Sequence, residues 1–213
     1  MEKKITVAGV LQEGLGIGIK NALSILGAVI LWILTIWVPY INVGTTIAIN
    51  AIPIELSKGK VISPLFIFDA KYRRYMGEYF MLMGLMWIAL IPAFIFLVVP
   101  GIIISIAWSL SLYLLIDKGL SPTQALVQSN KATYGYKWVI FGVVAIIVIA
   151  FYLLSFIFGL FGETIGAIFA CIFGLIMTVA LLGCYAVIYR DLVIGENCYK
   201  EADIDLPIED IVV

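Results

Sequence analysis

The sequence predicts an all-α integral membrane protein with about six transmembrane helices arranged as three hairpin repeats, and short amphipathic helices on the cytoplasmic surface. Three observations carry that expectation. Apolar residues make up 63% of the chain and charged residues only 13%, at a mean hydropathy of +1.13, whereas a soluble domain holds roughly twice that charged fraction. The charges gather in clusters between long uncharged runs, 21–54, 79–116, and 138–189 broken only by Glu163. Each run is long enough for two helices of about 17–25 residues and carries turn chemistry near its middle.

The first run divides at Val38-Pro39-Tyr40-Ile41-Asn42, the second at Val99-Pro100-Gly101, and the third across residues 159–162. Proline lacks an amide hydrogen and clashes with the preceding turn, and glycine supplies the backbone freedom to reverse. Spans are therefore expected at about 21–38, 42–57, 79–99, 101–117, 138–158 and 164–189. Ahead of the first, Gly14-Leu15-Gly16-Ile17-Gly18 follows no strand and opens no βαβ unit, so flexibility or close packing suits it better than nucleotide binding. In the connection after the second span, residues 64–79 place aromatic side chains on one side of a Pro64-opened helix and Lys71, Arg73 and Arg74 on the other. That pattern suits the headgroup layer, where the three cations either contact lipid headgroups or only fix topology. After the fourth span, Ser121 can cap a helix that begins at Pro122, with Gln124 completing a capping box.

Orientation follows from the basic residues, because Lys and Arg flanking a span stay on the cytoplasmic side. All 13 lie in the N-terminus, the two long connections or the C-terminal region, and the tight turns have none. The chain is thus expected as a multi-pass protein of the cytoplasmic membrane, both termini inside, with Glu163 the one charge on the outer face. Its first twenty residues lack the apolar core and small-residue cleavage site of a secretory signal. One membrane domain, 1–190, is followed by an acidic cytoplasmic tail, 191–213, with seven acidic side chains against one lysine.

Within the membrane domain, pseudo-repeats are expected at about 5–60, 61–119 and 120–190, each an inner-surface segment followed by a hairpin. Lys58-Gly59 trailed by Ser63-Pro64 is echoed by Lys118-Gly119 trailed by Ser121-Pro122, and Gly77 and Gly84 are echoed by Gly135 and Gly142. Small residues recur at helical spacing on the second helix of each hairpin: Gly44 and Ala48; Gly101, Ser105 and Ser109; Gly162, Gly166, Ala170, Gly174 and Thr178. Such ridges let backbones approach, either inside one chain or across a homodimer seam on the last span.

Catalytic and metal chemistry find little support. The chain has no histidine, and Cys171, Cys184 and Cys198 show no paired spacing, so neither a metal nor a cofactor is expected. A net charge of −1 gives no attraction to nucleic acid. Glu55 and Asp117 sit at the inner ends of spans, far apart in sequence. Asn42, Thr45, Thr46 and Asn50 give the second span a polar side above Pro53, and Asn42, Thr46 and Asn50 share a helix face. These residues either line an intramembrane site or bond a neighbouring helix.

Val99-Pro100-Gly101-Ile102, then Leu120-Ser121-Pro122-Thr123-Gln124-Ala125-Leu126-Val127-Gln128-Ser129, then Thr133-Tyr134-Gly135-Tyr136-Lys137-Trp138 occur in an order that resembles the six-span family of YciC-type inner-membrane proteins. That family also includes the membrane region fused to some bacterial glycerophosphodiester phosphodiesterases. The resemblance covers roughly residues 75–190 and implies an inner-membrane helical bundle. The chain contains no phosphodiesterase domain, so the enzymatic activity is not carried over. The expected function is a non-enzymatic membrane module, a scaffold or lipid-associated accessory subunit, with membrane lipids, a membrane-protein partner or a second copy as partners. The alternative is a small transporter or export permease component.

Overall fold

The computed structural model describes residues 5–195, so most of the acidic tail, with Cys198, lies outside the described residues. Every element among them is helical. Helix α1 (Val7–Lys20) begins where the Thr6 side chain accepts from the Gly9 N–H, and it meets α2 (Ala22–Leu34) at a bend of 71°. A 3₁₀ turn, Thr35–Trp37, leads into α3 (Pro39–Asn50) and α4 (Ile52–Ser57). A second 3₁₀ segment, Pro64–Phe68, precedes α5 (Ala70–Arg73). There follow α6 (Met76–Phe96), α7 (Val98–Ala107), α8 (Ser111–Lys118), α9 (Pro122–Thr133), α10 (Lys137–Gly159) and α11 (Glu163–Tyr189). Helix α11 runs on as a π-helical turn, Arg190–Ile194.

Among the described residues, four helices are long and apolar enough to cross a membrane: Met76–Phe96, Val98–Lys118, Lys137–Gly159 and Glu163–Ile194. Counting the bent pair of α1 and α2 as one broken span gives five. The last two hairpins therefore stand near their expected places, with the third turn at residues 160–162 as expected and the second shifted. The second turn falls at Leu97, whose backbone is extended, and not at Pro100-Gly101. Pro100 sits in the first turn of α7, where its missing N–H would have no helical partner anyway. Pro39 likewise opens α3 rather than ending the helix before it.

The first hairpin departs further from the expected 21–38 and 42–57. Helix α2 has 13 residues and α3 has 12, so each reaches only about 20 Å at 1.5 Å per residue, against a hydrocarbon core of about 30 Å. Helix α3 stops at Ala51 because Pro53, two residues on, has no N–H to donate to the ladder and its ring clashes with the carbonyl four residues back; it sits instead in the first turn of α4.

Burial is uneven. Helix α6 has one buried residue, Leu82, whereas Ser111 to Leu115 in α8 are all buried, as are Gly44, Thr45, Ile47 and Ala48 in α3 and most of α11 beyond Val179. Each connector packs against the second helix of a hairpin. Helix α1 runs antiparallel to the end of α11, with the buried stripe Val10, Gly14 and Gly18 facing Cys184, Gly183 and Val179. The segment Pro64–Phe68 and α5 lie on α2 and α3, where Pro64 meets Gly27 and the Arg73 stem meets Gly44.

Helix α9 lies on α7 and α8 and forms the expected capping box between Ser121 and Gln124. It does more than cover the end of the bundle. Its Ser129 hydroxyl donates to the Ala107 carbonyl at 2.6 Å and accepts from the Leu110 N–H at 3.1 Å. Those are backbone groups freed by the break between α7 and α8, and a buried group without a partner is costly.

Candidate functional site

The ends of α4, α8 and α11 converge on Asp117. Lys58, just past α4, forms an ion pair with Asp117 Oδ1, and the Tyr189 hydroxyl at the end of α11 donates to Oδ2 at 2.7 Å. The ring of Tyr113 meets those of Tyr185 and Tyr189 edge-on, at 6.0 and 5.8 Å. Arg190 ties the junction to α1 by pairing with Glu13, and also with Asp191 at 2.8 Å. Gly59 and Gly119, which follow Lys58 and Lys118, adopt φ of +70° and +65°. Only glycine takes this conformation cheaply, and it turns the chain away from each helix end. Gly77 and Gly135 do not correspond in this way: Gly77 lies inside α6, and Gly135 is a left-handed turn residue at φ +83°.

Beside the junction lies a cavity of about 130 Å³ lined by Glu55, Lys71, Tyr72, Tyr75, Ile116 and Asp117, with Ala51 and Ile54 behind. The break between α3 and α4 lets Glu55 reach it, while α5 presents Lys71 and Tyr72. Glu55 accepts from Lys60 at 2.9 Å and has Lys71 Nζ 3.8 Å from its other oxygen. Lys71 also stands 3.7 Å from Asp69, outside hydrogen-bonding range, and 4.8 Å above the Tyr72 ring. Tyr72 is 1% exposed, packs edge-on against Phe66 at 5.8 Å, and its hydroxyl has no hydrogen-bond partner. Burial, reinforced by the negative charges of Glu55 and Asp69, raises the Tyr72 phenol well above the usual tyrosine range. It therefore stays a neutral hydroxyl.

The polar side of α3 is occupied within the bundle. Thr46 accepts from the Trp32 indole N–H at 2.9 Å, Asn42 donates to the Thr35 hydroxyl at 3.3 Å, and Thr35 and Thr45 share a hydrogen bond of 2.9 Å. The Asn50 amide donates to the Thr46 carbonyl in its own helix at 2.8 Å. Thr46 thus ties α3 to α2 and Asn42 ties it to the 3₁₀ turn between them, while Asn50 bonds within α3. Of the three cations expected at headgroups, Lys71 turns to the cavity, Arg73 donates to the Phe68 carbonyl at 3.2 Å, and Arg74 is exposed.

Among the small-residue ridges, Gly101 lies against the Phe94 ring and Gly166 against Gly159, each closing its own hairpin. Ser105 and Ser109 return their hydroxyls to Ile102 and Ile106 of the same helix. Gly162 is the left-handed turn residue before α11, at φ +120°. Gly174 has only an ordinary contact with Phe151, and Ala170 is half-buried.

Two features are not marked in the sequence. Glu55 and Asp117 come to line one cavity through tertiary packing alone. Gly183, opposite Gly14 and Gly18, stands outside the ridge pattern, although Gly14-Leu15-Gly16-Ile17-Gly18 does signal close packing. Among the described residues no cluster of His, Cys, Asp and Glu could hold a metal. Compared with family models, curated proteins and solved structures, the chain matches none.

Proposed function

We propose that this protein is a non-enzymatic module of the cytoplasmic membrane, a scaffold or lipid-associated accessory subunit, with both termini and both long connections in the cytoplasm. The observation that carries this reading is the closed polar side of α3: its donors and acceptors meet Trp32, Thr35 and their own helix instead of lining a path. A carrier needs polar groups at mid-depth that can exchange protein partners for substrate.

Three hairpins, the first broken and partly embedded, remain the arrangement we favour. The matching left-handed glycines Gly59 and Gly119 support it, as does the packing of one connector on each second helix, with α1 on α11 closing the circle. The resemblance to YciC-type proteins agrees with that arrangement. The basic end, where Lys58, Lys60, Lys71, Lys118 and Arg190 gather, is the cytoplasmic end in this reading.

The test is solute flux in liposomes containing the purified chain, with thermal stability measured on the same material. The module reading expects no flux above empty liposomes, and expects Asn42→Leu to lower stability through the lost bond to Thr35, by about 1 kcal/mol. Flux that Asn42→Leu and Asn50→Leu abolish while stability holds would establish the carrier instead.

A further inference from the structure

An apolar groove of about 330 Å³ runs between α7 and α10, lined by Val99, Ile103 and Ile106 on one side and by Lys137, Trp138 and Phe141 on the other. Among its lining residues only Lys137 is charged. From Val99 to Ile106 the groove extends roughly 10 Å along α7, at 1.5 Å per residue. It starts where α7 stops at Ala107 and α10 begins at Lys137, the end that the proposed topology places in the cytoplasm. Val99, Ile103, Trp138 and Phe141 are exposed, so the groove opens outward from the bundle.

Lys137 separates this groove from a bare apolar surface. Its ammonium donates to the Asn130 side-chain oxygen at 3.0 Å, a neutral acceptor. Among the described residues it forms no ion pair, whereas Lys58, Lys60 and Lys71 each face a carboxylate. An ammonium carries three N–H donors, so two remain for a ligand. An apolar groove with an unneutralised cation at its mouth complements a molecule that joins a hydrocarbon chain to an anionic head, and basic pockets between membrane helices on the cytoplasmic side bind such headgroups. No carboxylate lines the groove to meet the ammonium of a zwitterionic headgroup, which selects a lipid of net negative charge. A second apolar groove, about 280 Å³ between α1, α2 and α11, has no charged residue in its lining and therefore no such selectivity.

We propose that this groove binds one acyl chain of an anionic phospholipid, with Ile103, Ile106 and Phe141 against the hydrocarbon and Lys137 donating to the phosphate. The proposal rests on the lipid-associated reading above and names the class of lipid and the place that holds it. Trp138, beside the lysine and 83% exposed, has the amphipathic ring that favours the headgroup level, and it reports on what enters.

The experiment uses the full chain in phosphatidylcholine bilayer discs. Phosphatidylglycerol or phosphatidylcholine with brominated acyl chains, which quench indole fluorescence on contact, is titrated in, and the Trp138 signal is the difference between the native chain and Trp138→Phe. Half-quenching is expected at an about fivefold lower fraction of the glycerol lipid, the scale of one lysine beside an anionic headgroup. Lys137→Gln should abolish that preference and Lys137→Arg should keep it. Lys131→Gln, at an exposed position of α9, should leave it unchanged. Ile103→Phe, which fills the groove while leaving Lys137 in place, should weaken quenching by both lipids without lowering the melting temperature. Equal quenching by the two lipids overturns the site, and so does a preference that Lys131→Gln removes as fully as Lys137→Gln, which would show general surface attraction. Trp138 shielded from both lipids, with two chains per disc, assigns the groove to a second copy and overturns the lipid site as well. A chain that enters the discs without lipid preference sinks the site alone, and one that fails to enter them sinks the membrane reading with it.

Discussion

Helices α6 and α8 are both uncharged over most of their length, yet they are buried very differently. Over its 21 residues α6 buries only Leu82, while the 8 residues of α8 include five consecutive buried positions. Regularity of the backbone separates the two regions as sharply as burial does. Helices α6 and α10 run unbroken for 21 and 23 residues, whereas the buried region holds the breaks at Ala51 and at residues 108–110. In hydrocarbon nothing can satisfy a freed backbone group, so irregular backbone belongs where protein surrounds it. The difference teaches that apolar composition marks helices able to cross a membrane without marking which of them the rest of the bundle covers.

The sharpest way to break this comparison is at the closest packing in the buried region. A Cβ on Gly183 would collide with the Gly14 carbonyl and lie 2.9 Å from the Gly18 nitrogen, and neither is the end of a flexible side chain. Gly183→Val should therefore cost about 3 kcal/mol, the upper end of ordinary overpacking, read as a lowered melting temperature in detergent. Gly16→Ala is the control, because a Cβ there meets nothing within 4 Å. Equal effects of the two would mean that α1 is not seated on α11.

A smaller effect is expected at the α7 to α8 break. Ser129→Ala removes the donor to the Ala107 carbonyl and the acceptor for the Leu110 N–H, with Thr133 left as a long contact of 3.4 Å to Ala107. Loss of about 1–3 kcal/mol follows if that N–H is left without an acceptor. Faster amide hydrogen exchange at Leu110 than in the middle of α8 would localise the damage. Unchanged exchange would mean that the break is stabilised by something other than α9.

These two sites also mark the limit of what the sequence carries. Helices α6, α7 with α8, α10 and α11 were legible as candidate spans because charge clusters and turn residues bracket them, and α9 because Ser121, Pro122 and Gln124 spell a cap. The break at residues 108–110 contains Trp108, Ser109 and Leu110, with neither proline nor glycine, so no local signal announces it; Ser129 across the interface makes it tolerable. The first hairpin departs from its expected bounds for a related reason. Its uncharged length suffices for two spans, but the bend after Lys20 and the break before Pro53 bound it, and the turn at residues 35–38 leaves α2 and α3 short. The cavity was legible only as separate residues, because Glu55, Tyr72 and Asp117 come from three elements whose meeting depends on packing.

The smallest expected effect lies on the other side of the comparison. Phe156 on α10 is 68% exposed, within an apolar band that includes Tyr152, Leu153, Ile157 and Leu160. If hydrocarbon chains fill that space, Phe156→Leu leaves no cavity, since lipid tails are as apolar as leucine and flow into the vacated volume. The melting temperature in a bilayer should then correspond to a change within about 0.5 kcal/mol, as for surface sites away from packing. A truncation inside packed protein behaves differently, costing about 2–5 kcal/mol for a leucine or isoleucine cut to alanine, because rigid neighbours cannot close the gap. A loss of that size at Phe156 would mean that α10 packs against protein in the bilayer, a second copy or a membrane partner. The contrast between the two regions would then separate intrachain from interchain packing instead of protein from lipid.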